Sequence, residues 1–170
     1  MPENDVVLGL GSNLGDSAMI LQGAVDDLDA TDGIDIDAVS PVYETDPVGG
    51  VEQPAFLNLV ALGRTSLLDH ELLAATQAIE QRWHRTREVH WGPRTLDIDI
   101  IALGERMVST PDLTVPHALA HERAFVLVPW CDLDPDAVVP GHGPLRSLLA
   151  ALDVAGVRRT PIVVAPTTAG

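Results

Sequence analysis

Apolar and polar positions along the chain fall into segments of two different periods. Residues 6–10 are almost continuously apolar, which predicts a buried strand closing at Gly11. Asp16 suits a helix cap, and Ile20, Leu21, Ala24, Val25 and Leu28 then recur at helical spacing up to a turn at Asp32-Gly33. Ile34, Ile36 and Ala38 alternate with Asp35, Asp37 and Val39, a half-exposed strand predicted to run to about Tyr43. Pro47, Gly49, Gly50 and Pro54 mark residues 44–54 as a loop, and 55–62 form another apolar, strand-like run. Asp69 suits the start of a second helix carrying Leu72, Leu73, Thr76, Ile79 and Trp83 on one face. An arginine-rich loop follows, and then a strand over 95–103.

That order, βαββαβ, predicts an α+β fold with a ferredoxin-like core: an antiparallel sheet with its helices packed on one face. Gly104-Glu105 is expected to turn the last strand into a hairpin with Met107 and Val108. Helical stretches are expected around 118–128 and 145–152, as a C-terminal extension. Residues 1–158 are read as a single domain and 159–170 as a loose tail with little to pack.

Composition and charge narrow the function classes. The 170 residues are 46% hydrophobic, too apolar for a disordered chain, and no apolar run approaches the roughly 18 residues a membrane helix needs. Glu3 and Asp5 stand where a leader would be basic, and Cys131 is the single cysteine, so a reducing, cytoplasmic setting is expected. With 25 acidic and 10 basic residues the net charge is −15, which argues against nucleic-acid and anionic-membrane partners. All ten basic residues are arginines; without lysine there is no phosphate-loop lysine and no Schiff base. Twelve acidic residues precede the first arginine, Arg64, whereas Arg82, Arg85, Arg87 and Arg94 fall within thirteen positions beside His84 and His90. That basic cluster is either a local anion site or a solvated loop, with Arg82 better suited to the helix end.

The sharpest local signal is Leu96-Asp97-Ile98-Asp99-Ile100-Ile101. In a strand Asp97 and Asp99 share a face while Leu96, Ile98 and Ile100 enter the core, and the apolar flanks suggest a central strand. Their Cα atoms would sit about 6.5–7 Å apart, so the pair is either a solvated stretch of exposed sheet face or two carboxylates that repel each other unless a cation lies between them. Mg²⁺ with bound phosphate satisfies that need, and Arg94 just upstream suits the same site. Trp91 is either a stacking platform or a packed core aromatic. Gly9-Leu10-Gly11-Ser12-Asn13-Leu14-Gly15 has leucine where a dinucleotide fingerprint needs its third glycine, and reads better as a tight strand-to-helix turn. His117 and His121 have zinc-like spacing without a third ligand, and Ser12, Ser40 and Ser109 lack a nucleophile-elbow context.

Over about residues 5–150 the chain resembles the 6-hydroxymethyl-7,8-dihydropterin pyrophosphokinases of folate biosynthesis. The resemblance rests on Gly11-Ser12-Asn13-Leu14-Gly15, Tyr43-Glu44-Thr45-Asp46-Pro47, Phe56-Leu57-Asn58, Arg85-Thr86-Arg87, Trp91-Gly92-Pro93-Arg94-Thr95-Leu96-Asp97-Ile98-Asp99, Leu113-Thr114-Val115-Pro116-His117 and Arg123-Ala124-Phe125. It implies transfer of the β,γ-diphosphoryl group of ATP to a reduced pterin alcohol, with release of AMP. It also implies two Mg²⁺ ions held by Asp97 and Asp99, and catalytic mobile-loop arginines Arg85 and Arg87. Gln77, Glu80, Arg94, Ile100, Leu113, Thr114, His117 and Arg123 are implied on ATP, and Thr45, Val48, Phe56, Asn58, Trp91 and Phe125 around the pterin. A monomer is expected, and the length leaves no room for a fused neighbouring enzyme. The chain departs from the pattern at Asp112, where a basic residue is frequent, at Ala118, where an aromatic is frequent, and at Phe56, where tyrosine is common. Two other classes stand beside this one: a dinucleotide oxidoreductase, which lacks its glycine at Leu14, and a ferredoxin-like RNA-binding module, which the acidic charge disfavours.

Overall fold

A computed structural model describes residues 4–12, 17–45, 56–84, 96–118 and 120–167 of the chain. Strand β1 (Asn4–Ser12) is followed by helix α1 (Ser17–Asp29), β2 (Ile34–Val39), β3 (Tyr43–Thr45), β4 (Phe56–Thr65), α2 (Asp69–His84) and β5 (Asp97–Leu103). Short strands β6 (Val108–Ser109) and β7 (Thr114–Val115), a 3-10 turn at Ala120–Glu122 and helix α3 (Ala124–Leu133) come next. The chain continues through β8 (Val138–Val139), β9 (Gly143–Pro144), α4 (Leu145–Ala150) and β10 (Val157–Arg159).

The main sheet runs β10-β3-β4-β1-β5, with β2 also paired to β4 and every pairing antiparallel. The expected strand over 34–43 is broken in two. Pro41 has no N–H to give the ladder, and Ser40 bridges the break: its N–H donates to the Val60 carbonyl and its hydroxyl accepts from the Val60 N–H, both at 2.9 Å. Taken as one broken strand, β2 and β3 lie beside β4, then β1, then β5, which is the ferredoxin-like order.

Alternation along the strands builds two cores. Val6, Leu8 and Leu10 of β1, with Leu59, Ala61, Ile98 and Ile100, meet α1 and α2 on one face. Val7, Val60, Ile101 and Ala102 meet Val126, Leu127 and Trp130 of α3 and Leu145 of α4 on the other. The C-terminal extension is therefore the second cover of the sheet. A register shift between Val7 and Leu8 leaves Ile101 as an extra residue in β5, so that Ile101 and Ala102 both join the α3 side.

Three expectations are corrected. β5 ends the main path of the sheet rather than lying inside it. Helices cover both its faces, and its outer edge is closed by other groups: the Ile98 N–H donates to Glu80 Oε2 at 2.8 Å and the Ile101 carbonyl accepts from the His117 N–H at 3.0 Å. The hairpin after Gly104 does not fold back on β5. Gly104 does turn the chain, at φ 55°, but Val108–Ser109 pairs with Thr114–Val115. Nor are residues 159–167 loose: β10 pairs with β3, Val164 is buried, and Thr167 donates through its N–H and its hydroxyl to Asp26 at 2.8 and 2.9 Å. Among the described residues no helix is long and apolar enough to cross a membrane.

Helix α3 is tied to the sheet by the Tyr43 hydroxyl, which donates to the Asp132 carboxylate. Burial, then this hydrogen bond and the Asp132 charge, push the Tyr43 phenol up to about 12. Tyr43 is the only tyrosine of the chain, so phenolate absorbance reports this contact alone. An alkaline titration of the folded protein is expected to have its midpoint near 12, and one in denaturant near the ordinary value of about 10. Asp132→Asn should lower the folded midpoint. Because the folded form holds its proton longer, this contact's stability is present below the unfolded value and is lost as pH rises through the folded one. A folded midpoint that Asp132→Asn leaves in place would disprove the tie.

Candidate active site

Register across the sheet sets out a site on the α3 face. Asp97 pairs with Gly11, Gly11 with Asn58, and Asn58 with Tyr43; one step along, Asp99 pairs with Gly9. Same-face alternation aims Asp97 and Asp99 toward α3, and the two glycines beside them leave the floor as bare backbone. Neighbouring side chains pack closely over both glycines. A Cβ on Gly11 would lie 2.9 Å from Asn58 Oδ1, and one on Gly9 would lie 3.3 Å from the Ile101 side chain.

Over this floor is a cavity of about 550 Å³, within the usual range for small-molecule sites. Asp97 and Asp99 occupy one end, with Arg123 at the start of α3 beside them. The Arg123 guanidinium is 3.9 Å from Asp99 Oδ2 and lies over the Phe125 ring at 5.5 Å. Thr45, Phe56, Asn58 and Phe125 line the rest, with Asp153, Gly156 and Val157 as a further wall. The Asn58 amide donates to Thr45 Oγ1 at 2.8 Å. Asn58 still has one amide proton and its carbonyl to offer, and Thr45, as acceptor, keeps its own proton to donate.

His117 is placed electrostatically with this group. Burial holds its imidazole below the ordinary value and the Arg123 charge adds to that, while Asp99 pulls it back up.

The ATP residues implied by the sequence divide between two places. Arg123 stands in the cavity, and His117 feels its charge and that of Asp99. Ile100 and Leu113 are buried in the α1/α2 core, and Thr114 and Gln77 are exposed away from the cavity lining. Glu80 spends a carboxylate oxygen on the Ile98 N–H, an edge-closing contact. Arg82, expected at the helix end, pairs there with Asp27 of α1 at 3.1 Å. Val48, Arg85, Arg87, Trp91 and Arg94 lie outside the described residues.

Sequence reasoning missed Gly9, Asp153, Gly156 and Val157 as lining residues. Gly9 becomes visible only once its pairing with Asp99 is known. Val157 is an isolated apolar residue before two arginines and offered no periodic signal.

Residues 7–135 match the profile of the family described as 7,8-dihydro-6-hydroxymethylpterin-pyrophosphokinase (HPPK). The chain belongs to this HPPK family. It is 44% identical over 156 residues to the 2-amino-4-hydroxy-6-hydroxymethyldihydropteridine pyrophosphokinase of Pseudomonas aeruginosa, covering 92% of this chain and 96% of that one. Identity to the HPPK relative of the same description from Methylorubrum extorquens is 46% over 152 residues, covering 89% and 96%. Among solved structures, wild-type HPPK-DHPS of Plasmodium falciparum with pterin and p-hydroxybenzoate is similar at a TM-score of 0.69 and 17% identity. That match covers 88% of this chain and 43% of the other, so this chain spans less than half of that longer protein, and the likeness shows the fold alone.

The charge balance at His117 can be tested directly. A magnetic-resonance titration is expected to place its midpoint below the ordinary value of about 6.5. Arg123→Gln should raise the midpoint and Asp99→Asn should lower it further. Since the unfolded chain takes up this proton first, the contribution of His117 to stability is present above the unfolded value and is lost as pH falls toward the folded one. Opposite shifts in the two variants would refute this placement.

Proposed function

We propose that the cavity between the sheet and α3 is where the family's diphosphoryl transfer takes place. The activity is ATP-dependent formation of 6-hydroxymethyl-7,8-dihydropterin diphosphate and AMP, within folate biosynthesis. The observation that carries the assignment is one cavity with two chemistries: a carboxylate pair with a guanidinium, and, beyond the Phe125 ring under that guanidinium, an amide, a hydroxyl and the Phe56 ring.

The carboxylate end fits Mg²⁺. The donor set is all oxygen, both aspartates are half-buried, and among the described residues no cluster of three or more metal-ligating side chains forms a closed protein cage. Mg²⁺ suits such a site, because it keeps several waters and takes one or two carboxylates plus substrate phosphates. Asp97 and Asp99 would hold it, two ions in this reading. When bound, Mg²⁺ neutralises polyphosphate charge and lowers the pKa of a coordinated hydroxyl.

The protein's own groups do the rest. Arg123 places a fixed positive charge beside the carboxylates, where negative oxygens must gather. Phe56 and Phe125 offer flat apolar surfaces for the pterin ring, and Asn58 and Thr45 offer donors and acceptors to its edge. With both substrates so held, the hydroxymethyl oxygen attacks the β-phosphorus. The bond from that phosphorus to the bridging oxygen of AMP breaks, and the hydroxyl proton is lost. Arg85, Arg87 and Arg94 are assigned to the phosphates by the resemblance alone.

Purified protein with ATP, Mg²⁺ and the reduced pterin alcohol should release AMP, and release of ADP instead would overturn the reading. Asp97→Asn and Asp99→Asn are each expected to cut turnover by roughly 10²–10³-fold. Thermal melts of both variants without metal should still show a cooperative transition, which separates lost turnover from lost fold. Asn58→Leu should weaken pterin binding by roughly one to two orders of magnitude, with affinity for a non-hydrolysable ATP analogue unchanged. Calorimetric titration with each ligand separates the two; equal weakening of both would reduce Asn58 to a loop anchor.

A further inference from the structure

Residues 157–167 are tied to the rest of the chain at several points. Beyond Gly156, β10 pairs with β3, Val157 opposite Thr45 and Arg159 opposite Tyr43. Arg158 reaches Glu44 at 2.9 Å, and the Thr160 N–H and hydroxyl both donate to the Val42 carbonyl, at 2.9 and 2.8 Å. Val164 then packs into the α1/α2 core, and the Ala165 carbonyl accepts from the Gln22 amide at 2.6 Å. The segment is a strap that crosses the sheet edge from one face to the other. It lies beyond the residues that match the family profile, yet Asp153, Gly156 and Val157 line the cavity.

Its place in the sheet says which part of a ligand it meets. Directly paired residues of antiparallel strands point to the same face, so Val157 stands beside Thr45 on the cavity side. Asp97 and Asp99 are on β5 and Val157 on β10, at opposite ends of the path β5-β1-β4-β3-β10. Four strand spacings separate them, roughly 19 Å. A pterin alcohol must turn its hydroxymethyl group toward the carboxylates to be phosphorylated. Its amino-bearing pyrimidine edge then faces the other way, toward β3 and β10.

We infer that the C-terminal strap, through Val157, closes the aminopyrimidine end of the pterin site and determines which ring edge fits there. The inference rests on the pterin reading of this cavity. Steady-state kinetics of the full chain test it with Val157→Phe and Val157→Ala, using the pterin alcohol and its analogue methylated on the pyrimidine amino group. Bulk added at a hydrophobic wall should raise the KM for pterin about tenfold in Val157→Phe, with the KM for ATP within about twofold of wild type. Space opened in Val157→Ala should reduce discrimination against the methylated analogue by about tenfold. Thermal melts of both variants separate a merely structural role, which would lower Tm and shift both KM values together. An unchanged pterin KM in Val157→Phe, or parallel changes for both substrates, would overturn the inference. Failure of wild type to form AMP would instead overturn the parent reading, so the two failures are distinguishable.

Discussion

Two carboxylates carried on one face of a single strand are the feature around which the cavity is arranged. Asp97 and Asp99 are fixed on one face of β5 by strand alternation, and β5 cannot rotate because Ile98 and Ile100 are locked in the core behind it. The surroundings accept that charge in several ways. Arg123 stands at 3.9 Å from Asp99, and the neighbouring strand places Gly9 and Gly11 beside the pair. The outer edge of β5 is closed without a further strand, by the Glu80 carboxylate on one side of the bulge and the His117 N–H on the other. An unpaired edge beside a charged site would invite both water and pairing with other chains.

Helix α3 has two tasks that cannot be separated. Its apolar side, with Val126, Leu127 and Trp130, buries one whole face of the sheet. Its first turn brings Arg123 and Phe125 to the cavity, and its last turn is held to β3 through Asp132 and Tyr43. The roof of the site is therefore as rigid as the second core. The strap behaves similarly, since the bonds that hold β10 on β3 also steady Thr45, which receives the Asn58 amide.

The ferredoxin-like core was legible because each of its elements buries one face and so shows a clear period. The alternation Ile34-Asp35-Ile36-Asp37 and the spacing of Ile20, Leu21, Ala24, Val25 and Leu28 led directly to β2 and α1. The paired aspartates were legible for the same reason. The strap was not, because backbone hydrogen bonds hold β10, and its apolar residues Val157, Ile162 and Val164 are too scattered to set a period. The hairpin after Gly104 was misread because a turn residue says where the chain reverses and nothing about which strand it meets next. Glu80 shows a limit of another kind: that one of its oxygens closes the edge of β5 is set by tertiary contact and has no signal in the sequence.

The lane of bare backbone between Asp97 and Asn58 bears on how the protein could escape an inhibitor. Resistance commonly arises when a pocket residue grows a side chain that excludes the drug but spares the substrate. At Gly11 a methyl group would meet Asn58 Oδ1 at 2.9 Å, and at Gly9 it would crowd Ile101 at 3.3 Å. Either change presses on a side chain that lines the pocket or packs beside it. A compound whose contacts are concentrated on that lane would leave the enzyme few mutational exits that do not also damage its own pocket.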